Sequence, residues 1–357
     1  AESKRYLDRA GIAGALADQL VSETGGLPLA LSLAVDALRR QPSPSGGLDG
    51  EWALSINAKL LREAAGAGVV DLLDVLAVAR EADAELIATV LGKRISPDLL
   101  AALARLSYVQ RSSTGFRLHD VAHRYLLADL RARDFAHLQR LRGRVVQALL
   151  HRLESAPTAE RASYAWTLLS VCADALPTGG SYANLRATDD LIVRSSRAED
   201  LPVLHRLIGA WERHPFLFDN RESYHCLVDW VVTATPERCR VVCGRSGAIL
   251  ALMVDLLLSS ETCARLEAIE PGALRRHLPE EADHLASLSP EMADTHLTVM
   301  VGVDEDDEAH AAAELIGVLI RDGLARLSEG TRALVGASHP ELQQLLERLG
   351  FARYGAT

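Results

Sequence analysis

Beyond residue 190 the chain changes its hydrophobic period, and that change constrains the fold more than any other feature. "RCRVVCGRSGAILALMVDL" reads as a strand, a tight turn and a second strand. "HLTVMVGV" is a strand, "EAHAAAELIGVLIRDGLARL" a helix, "TRALVGAS" a strand, "PELQQLLERLG" a helix and "FARYG" a final strand. Apolar runs of strand length that alternate with segments of 3.6-residue period specify an α/β domain. Ahead of them "LIVRSS" reads as a short strand, "AEDLPVLHRLIGAWER" as a helix with acidic residues in its first turn, and 221–233 as another helix. Residues 259–290 form a polar, helical insertion.

The first half has a different texture. Residues 4–22 carry Leu, Ile, Ala and Val at helical spacing, a Gly pair follows, and Pro28 opens a second helix that runs to about Arg40. "QPSPSGGLDG" (41–50) is a loop. Short helical patterns cover 51–66, 68–80 and 83–92, and another begins at Ser96 with Pro97 in its first position. "SYVQRS", a turn and "GFRLHD" make a small hairpin, so helices are followed by a two-stranded wing, as in a winged helix. Helices over 121–131, 135–153 and "AERASYAWTLLSVCADAL" come next, then "PTGGSYANLRATDD" (177–190) as a linker. The expected fold is therefore multidomain: an all-α helical and winged-helix half followed by an α/β domain. Its parts are a small helical domain at 1–45, a winged helix at 46–131, a helical connector at 132–185 and the α/β domain at 186–357.

At 357 residues and 48% hydrophobic, the chain can bury two or three cores and is not disordered. Its net charge of −10 is unevenly spread. Residues 1–190 hold 22 basic and 22 acidic side chains, leaving 16 basic and 26 acidic for the rest. An acidic domain attracts cations and basic surfaces and repels nucleic acid and anionic membranes. The cysteines, Cys172, Cys226, Cys239, Cys243 and Cys263, include no CxxC pair, which suggests reduced, buried thiols in a cytoplasmic protein and no zinc site. The longest apolar run, 247–258, contains Asp255 and is too short to span a membrane. "AESKRYLDRAG" has no initiator Met and no apolar signal core, and reads as an internal starting point.

"TGGLPLALSLAVDAL", followed by a winged helix that ends in "LHD", resembles the signal-transduction ATPases with numerous domains, the STAND or NB-ARC class. The match covers about residues 1–131. The resemblance implies that Pro28 contacts an adenine, that His119 contacts the β-phosphate of ADP, and that Asp120 supports the turn. No G-x-x-x-x-G-K-[ST] occurs, and Gly92-Lys93 has no such loop before it, so the chain lacks a cradle for phosphates. The P-loop domain is accordingly expected to precede residue 1. No cofactor is expected in this chain alone, and ADP or ATP in the full-length protein.

The same residues have other readings. Gly-Leu-Pro alone is a helix–helix turn, Asp120 alone a helix N-cap, and His119 alone a structural histidine. His119 and His123 are spaced like a zinc-protease pair, but no third ligand is evident. Arg131, Arg133, Arg140, Arg142 and Arg144 would suit DNA, yet they lie beyond the wing of an acidic chain, where a solvated helix face explains them.

The order of elements from Leu191, with "LIVRSSRAEDLPVLHRL" at its start and "PELQQLLERLGFARYG" at its end, resembles the GNAT acetyltransferase fold. GNAT enzymes hold the acetyl-CoA pyrophosphate on a Gly-rich loop at a helix N-terminus. The matching stretch here is "GVDEDDEAHAAAELI", in which Asp304, Glu305, Asp306, Asp307 and Glu308 replace that loop. Acidic residues favour a helix N-terminus as a phosphate does and would repel the cofactor. The tyrosine that often serves as general acid is Leu346 here. The acidic row is either a solvated helix cap or a site for a cation, an amine or a basic peptide. Together these features predict the C-terminal regulatory part of a STAND-type switch, with a GNAT-like domain that senses a ligand or partner without catalysis. The alternatives are an acyltransferase with a non-standard acetyl-CoA site and a winged-helix DNA-binding regulator.

Overall fold

Glycines set the first departure from the expected elements. The helix expected over 4–22 is two, Glu2–Arg9 and Ala15–Thr24, because Gly11 and Gly14 take φ of +80° and +67° between them. The computed structural model describes residues 2–24, 26, 28, 31–32, 34–35, 60–112, 115–174, 176, 179–184, 190–211, 217–327, 330–337 and 339–353. The loop at 41–50 and the start of the helix expected over 51–66 lie outside the described residues. The chain divides into two units, Ala1–Leu149 and Leu150–Thr357, and the division falls within the helix Phe135–Ser155.

In the first unit, the helix Val70–Ala79 leads into strand β1 (Glu81–Ala82). The helix Ala84–Leu91 starts on Asp83, whose carboxylate accepts the Leu86 N–H, and stops at Gly92 in the left-handed conformation. The helix Pro97–Arg105 is capped by Ser96. Strands β2 (Val109–Ser112) and β3 (Gly115–Leu118) form the hairpin that alternation predicts, and β1 adds to its other side in the antiparallel order β1–β3–β2. Gly115, at φ +142°, passes so close to β1 that a Cβ there would lie 2.6 Å from the Ala82 carbonyl. The helix Asp120–Arg133 follows.

In the second unit, five strands lie in the order β4–β5–β6–β7–β8. They are β4 (Ile192–Ser195), β5 (Cys239–Cys243), β6 (Ile249–Leu257), β7 (Thr295–Val303) and β8 (Arg332–Val335). β4 through β7 are antiparallel, while β7 and β8 pair in parallel and are joined by the helix Ala312–Arg326. Helices cover both faces, which is why β6 reads as one apolar run. On one face Val241, Leu252, Val254 and Leu297 pack with Leu204, Leu207, Leu227 and Val231 from the helices Leu201–Trp211 and Arg221–Ala234. On the other, Val242, Ala251 and Met253 pack with Leu315, Val318 and Leu319. Each of the Val, Leu and Met side chains contributes about 1.5–3 kcal/mol by leaving water. β7 carries one extra residue: Val254 pairs with Met300 and Asp255 with Thr298, so Val299 is bulged out of register.

Three further expectations are corrected. The linker at 177–190 contains a helical turn, Gly179–Tyr182, which packs on the 312–326 helix together with the helix Thr158–Ala173. "FARYG" is not a strand over its described part, 351–353. All five cysteines are free, but Cys226 is exposed rather than buried. Burial pushes the thiols of Cys239 and Cys263 up to about 11. No helix among the described residues is long and apolar enough to cross a membrane.

Candidate functional site

The first candidate site is the junction between β3 and the 120–133 helix. His119 is the N-cap: its φ of −59° and ψ of 138° are not helical, and its Nδ1 accepts the Val121 N–H at 3.4 Å. Its backbone N–H donates to the Tyr108 carbonyl at 3.0 Å, which ties the cap to the start of the hairpin. A ring nitrogen that accepts carries no proton, which leaves Nε2 as the ring position that can donate. Asp120 occupies the first turn and lies 3.7 Å from Arg117 Nη2. Both residues are half-buried.

His123, one turn further on, is a core residue. Burial foremost, then the nearby Arg80 guanidinium, drives its pKa down to about 3, so it stays neutral. Among the described residues no cluster of three metal-ligating groups exists, so the His119–His123 spacing gathers no third ligand. Pro28 is helical and exposed, and residues 25, 27, 29 and 30 beside it lie outside the described residues. Of the arginines that would suit DNA, Arg133 pairs with Asp74 and Asp129, and Arg144 donates to the Val90 carbonyl.

The second candidate site is the N-terminal end of the 312–326 helix. The acidic row does not present five equivalent carboxylates. Asp304 pairs with Arg206 at 3.1 Å and accepts the Asp306 N–H on its other oxygen. Asp307 accepts the His310 backbone N–H at 3.1 Å and meets His310 Nδ1 at 2.8 Å. His310 Nε2 reaches Asp190 at 3.5 Å, and Asp190 also pairs with Arg245. Burial opposes charge on His310, but the hydrogen bonds and charges of Asp307 and Asp190 outweigh it, and the pKa is raised. Glu305, Asp306 and Glu308 are exposed.

The helix N-terminus itself is answered by a residue that the acidic row overshadowed. Glu314 is buried, and its carboxylate accepts the Ala311 N–H at 3.0 Å and Asn184 Nδ2 at 2.7 Å. The signal was present in sequence, since Glu at the third helical position reaches back to the cap. Leu346 is buried apolar packing and carries no acid. Comparison with protein-family models, curated proteins and solved structures finds no match in any of the three.

Proposed function

We propose that the chain is the regulatory part of a STAND-type nucleotide-switch protein, working in the cytoplasm. Residues 46–131 act as its winged helix, with Pro28, His119 and Asp120 as the nucleotide sensor, and residues 186–357 are a GNAT-like module that binds a ligand or partner without catalysis. The phosphates themselves are held by a P-loop domain outside these residues, which is the first partner, with ADP or ATP as the shared ligand. The order of elements in each unit supports these two assignments. The placement of Glu314 supports the absence of acetyl transfer, because a pyrophosphate would have to displace its carboxylate and approach an acidic loop.

The observation that carries the reading is the seat of His119. Its Nδ1 is committed to the helix cap, so Nε2–H is the donor it offers, and a phosphate oxygen is the acceptor that such a donor suits. The test is ADP release from the protein that joins these residues to a P-loop domain. A hydrogen bond to a charged oxygen is worth roughly 1.5–3 kcal/mol, so His119→Ala speeds release by about tenfold or more and raises basal output. His119→Asp keeps a capping oxygen and carries no N–H donor, which separates loss of the cap from loss of the donor. Equal ADP retention in wild type and both variants removes His119 from the mechanism.

A further inference from the structure

The stripe of the 312–326 helix that faces the sheet turns polar toward its C-terminus. Leu315, Val318 and Leu319 are followed on the same side by Asp322 and Arg326. Opposite them, Ser195 on β4, Arg240 on β5, Asp255 on β6 and His296 on β7 share the face of Val193, Val242 and Met253. Asp322 accepts Nε and Nη2 of Arg240, both at 3.1 Å, and Nε of Arg326 at 3.0 Å. The remaining Arg240 nitrogen, Nη1, donates to Ser195 Oγ at 2.9 Å. Asp255 Oδ2 holds His296 Nδ1 at 2.9 Å and lies 3.8 Å from Arg326 Nη1.

Positive groups are left over. Arg326 Nη2 is buried and has no hydrogen-bond partner. The Arg238 guanidinium meets a ring nitrogen, His296 Nδ1, at 3.5 Å and pairs with no carboxylate of the described residues. Arg238 meets the His296 ring of the His296–Asp255 pair, and Arg326 meets its Asp255 carboxylate. Among the described residues Arg238, Arg240 and Arg326 face only Asp255 and Asp322, an excess of one positive charge. This occurs in a part of the chain that holds 16 basic and 26 acidic side chains. A guanidinium does not lose its proton in a protein, so the imbalance is permanent. The C-terminus of the helix supplies about half a negative charge, less than the excess, and leaves Arg326 Nη2 unanswered. His296 Nε2 bonds to none of the described residues, and the His296 side chain is 13% exposed.

We infer that this cluster is a binding site for a small oxyanion, a carboxylate or a phosphate group, gripped by Arg326 and Arg238 with His296 Nε2 at its rim. The anion supplies the missing negative charge and an acceptor for the buried N–H, which a water molecule does only in part. The site lies at the opposite end of the 312–326 helix from Glu314 and uses none of the residues discussed there.

The test titrates acetate, succinate and inorganic phosphate into the full chain at constant ionic strength, with chloride as the control. Calorimetry reads the affinity, and imidazole resonances read the environment of His296. At least one oxyanion is expected to saturate at millimolar concentration and to shift the His296 resonances. Saturation by the carboxylates alone assigns a carboxylate ligand, and saturation by phosphate alone assigns a phosphate-bearing one. Arg238→Gln removes a group with no carboxylate partner, so it leaves no unpaired acid behind, and it should weaken binding about tenfold or more. Arg326→Met keeps the side-chain stem and should do the same. Failure of all the oxyanions to saturate overturns the site, as does saturation that Arg238→Gln leaves unchanged.

Discussion

Gly317 decides the sign of a substitution that helix propensity alone would misjudge. It lies buried inside the 312–326 helix, where Ala is favoured over Gly by about 1 kcal/mol. A Cβ at this position would lie 1.9 Å from the carbonyl oxygen of Tyr182 and 2.7 Å from its carbon. The obstacle is backbone of the Gly179–Tyr182 turn, so relief needs the two segments to separate by about 1 Å or more. Overpacking of this kind costs about 1–3 kcal/mol, at the upper end when backbone must move. Gly317→Ala is therefore expected to destabilise the second unit by a net 1–2 kcal/mol, roughly 2–8 °C in melting temperature. The same helix contains its own control. A Cβ on Gly323 would meet Met253 Cε at an ordinary 3.6 Å, so Gly323→Ala should gain most of the propensity term. Urea unfolding followed by circular dichroism compares the two. Trp166 fluorescence reports the same packing locally, since its ring lies under Arg321 of that helix. A Gly317→Ala variant as stable as wild type, or more so, refutes the close approach.

Two further outcomes concern pH. The Arg194 guanidinium grips Asp200 at 2.7 and 2.9 Å, and the Arg197 N–H adds a third bond at 2.7 Å. The hydrogen bond from Arg194 is foremost in holding the Asp200 pKa below 3.8. The stability this gives is complete above the ordinary carboxylate range and fades as pH falls through the depressed value, so Asp200→Asn should cost roughly 1.5–3 kcal/mol at neutral pH and lose part of the acid dependence of unfolding. His310 runs the other way. Its raised pKa contributes stability that is complete below 6.5 and is lost as pH rises through the raised value. His310→Gln should flatten that part of the stability profile, and NMR titration of the His310 ring in wild type should place its midpoint above 6.5.

Much of the local structure was legible because single residues have strong local effects. Asp83, Gly92, Ser96 and Pro97 mark helix ends by their own backbone and capping chemistry, and each stands where its type predicts. The alternation of "HLTVMVGV" gave β7, though not the bulge at Val299, which depends on register against β6. β1 was missed because two residues have no period; the pairing with β3 creates it. The turn at Gly179–Tyr182 was hidden by its composition, since its Gly and Ser residues look like linker until another helix covers them. At the candidate sites the residue types were readable, but their partners were not. Asp307 and His310 are close in sequence, yet Asp190 comes from across the unit. The Asp255 network joins four strands and a helix, and in sequence only Asp255 stood out, as a lone charge in an apolar run.

Calorimetric titration of acetyl-CoA into the full chain tests most directly whether the second unit binds without catalysing. The N-terminus of the 312–326 helix is engaged by Glu314, Asp304 is held by Arg206, and Asp307 by His310. A helix N-terminus returns about 0.3–1 kcal/mol to an anion, while each carboxylate about 4 Å from a phosphate oxygen opposes it by about 1 kcal/mol even in water. The predicted result is no saturable heat up to millimolar acetyl-CoA. Saturable binding that Glu314→Gln strengthens further would contradict the pseudoenzyme reading and make the second unit an acyltransferase.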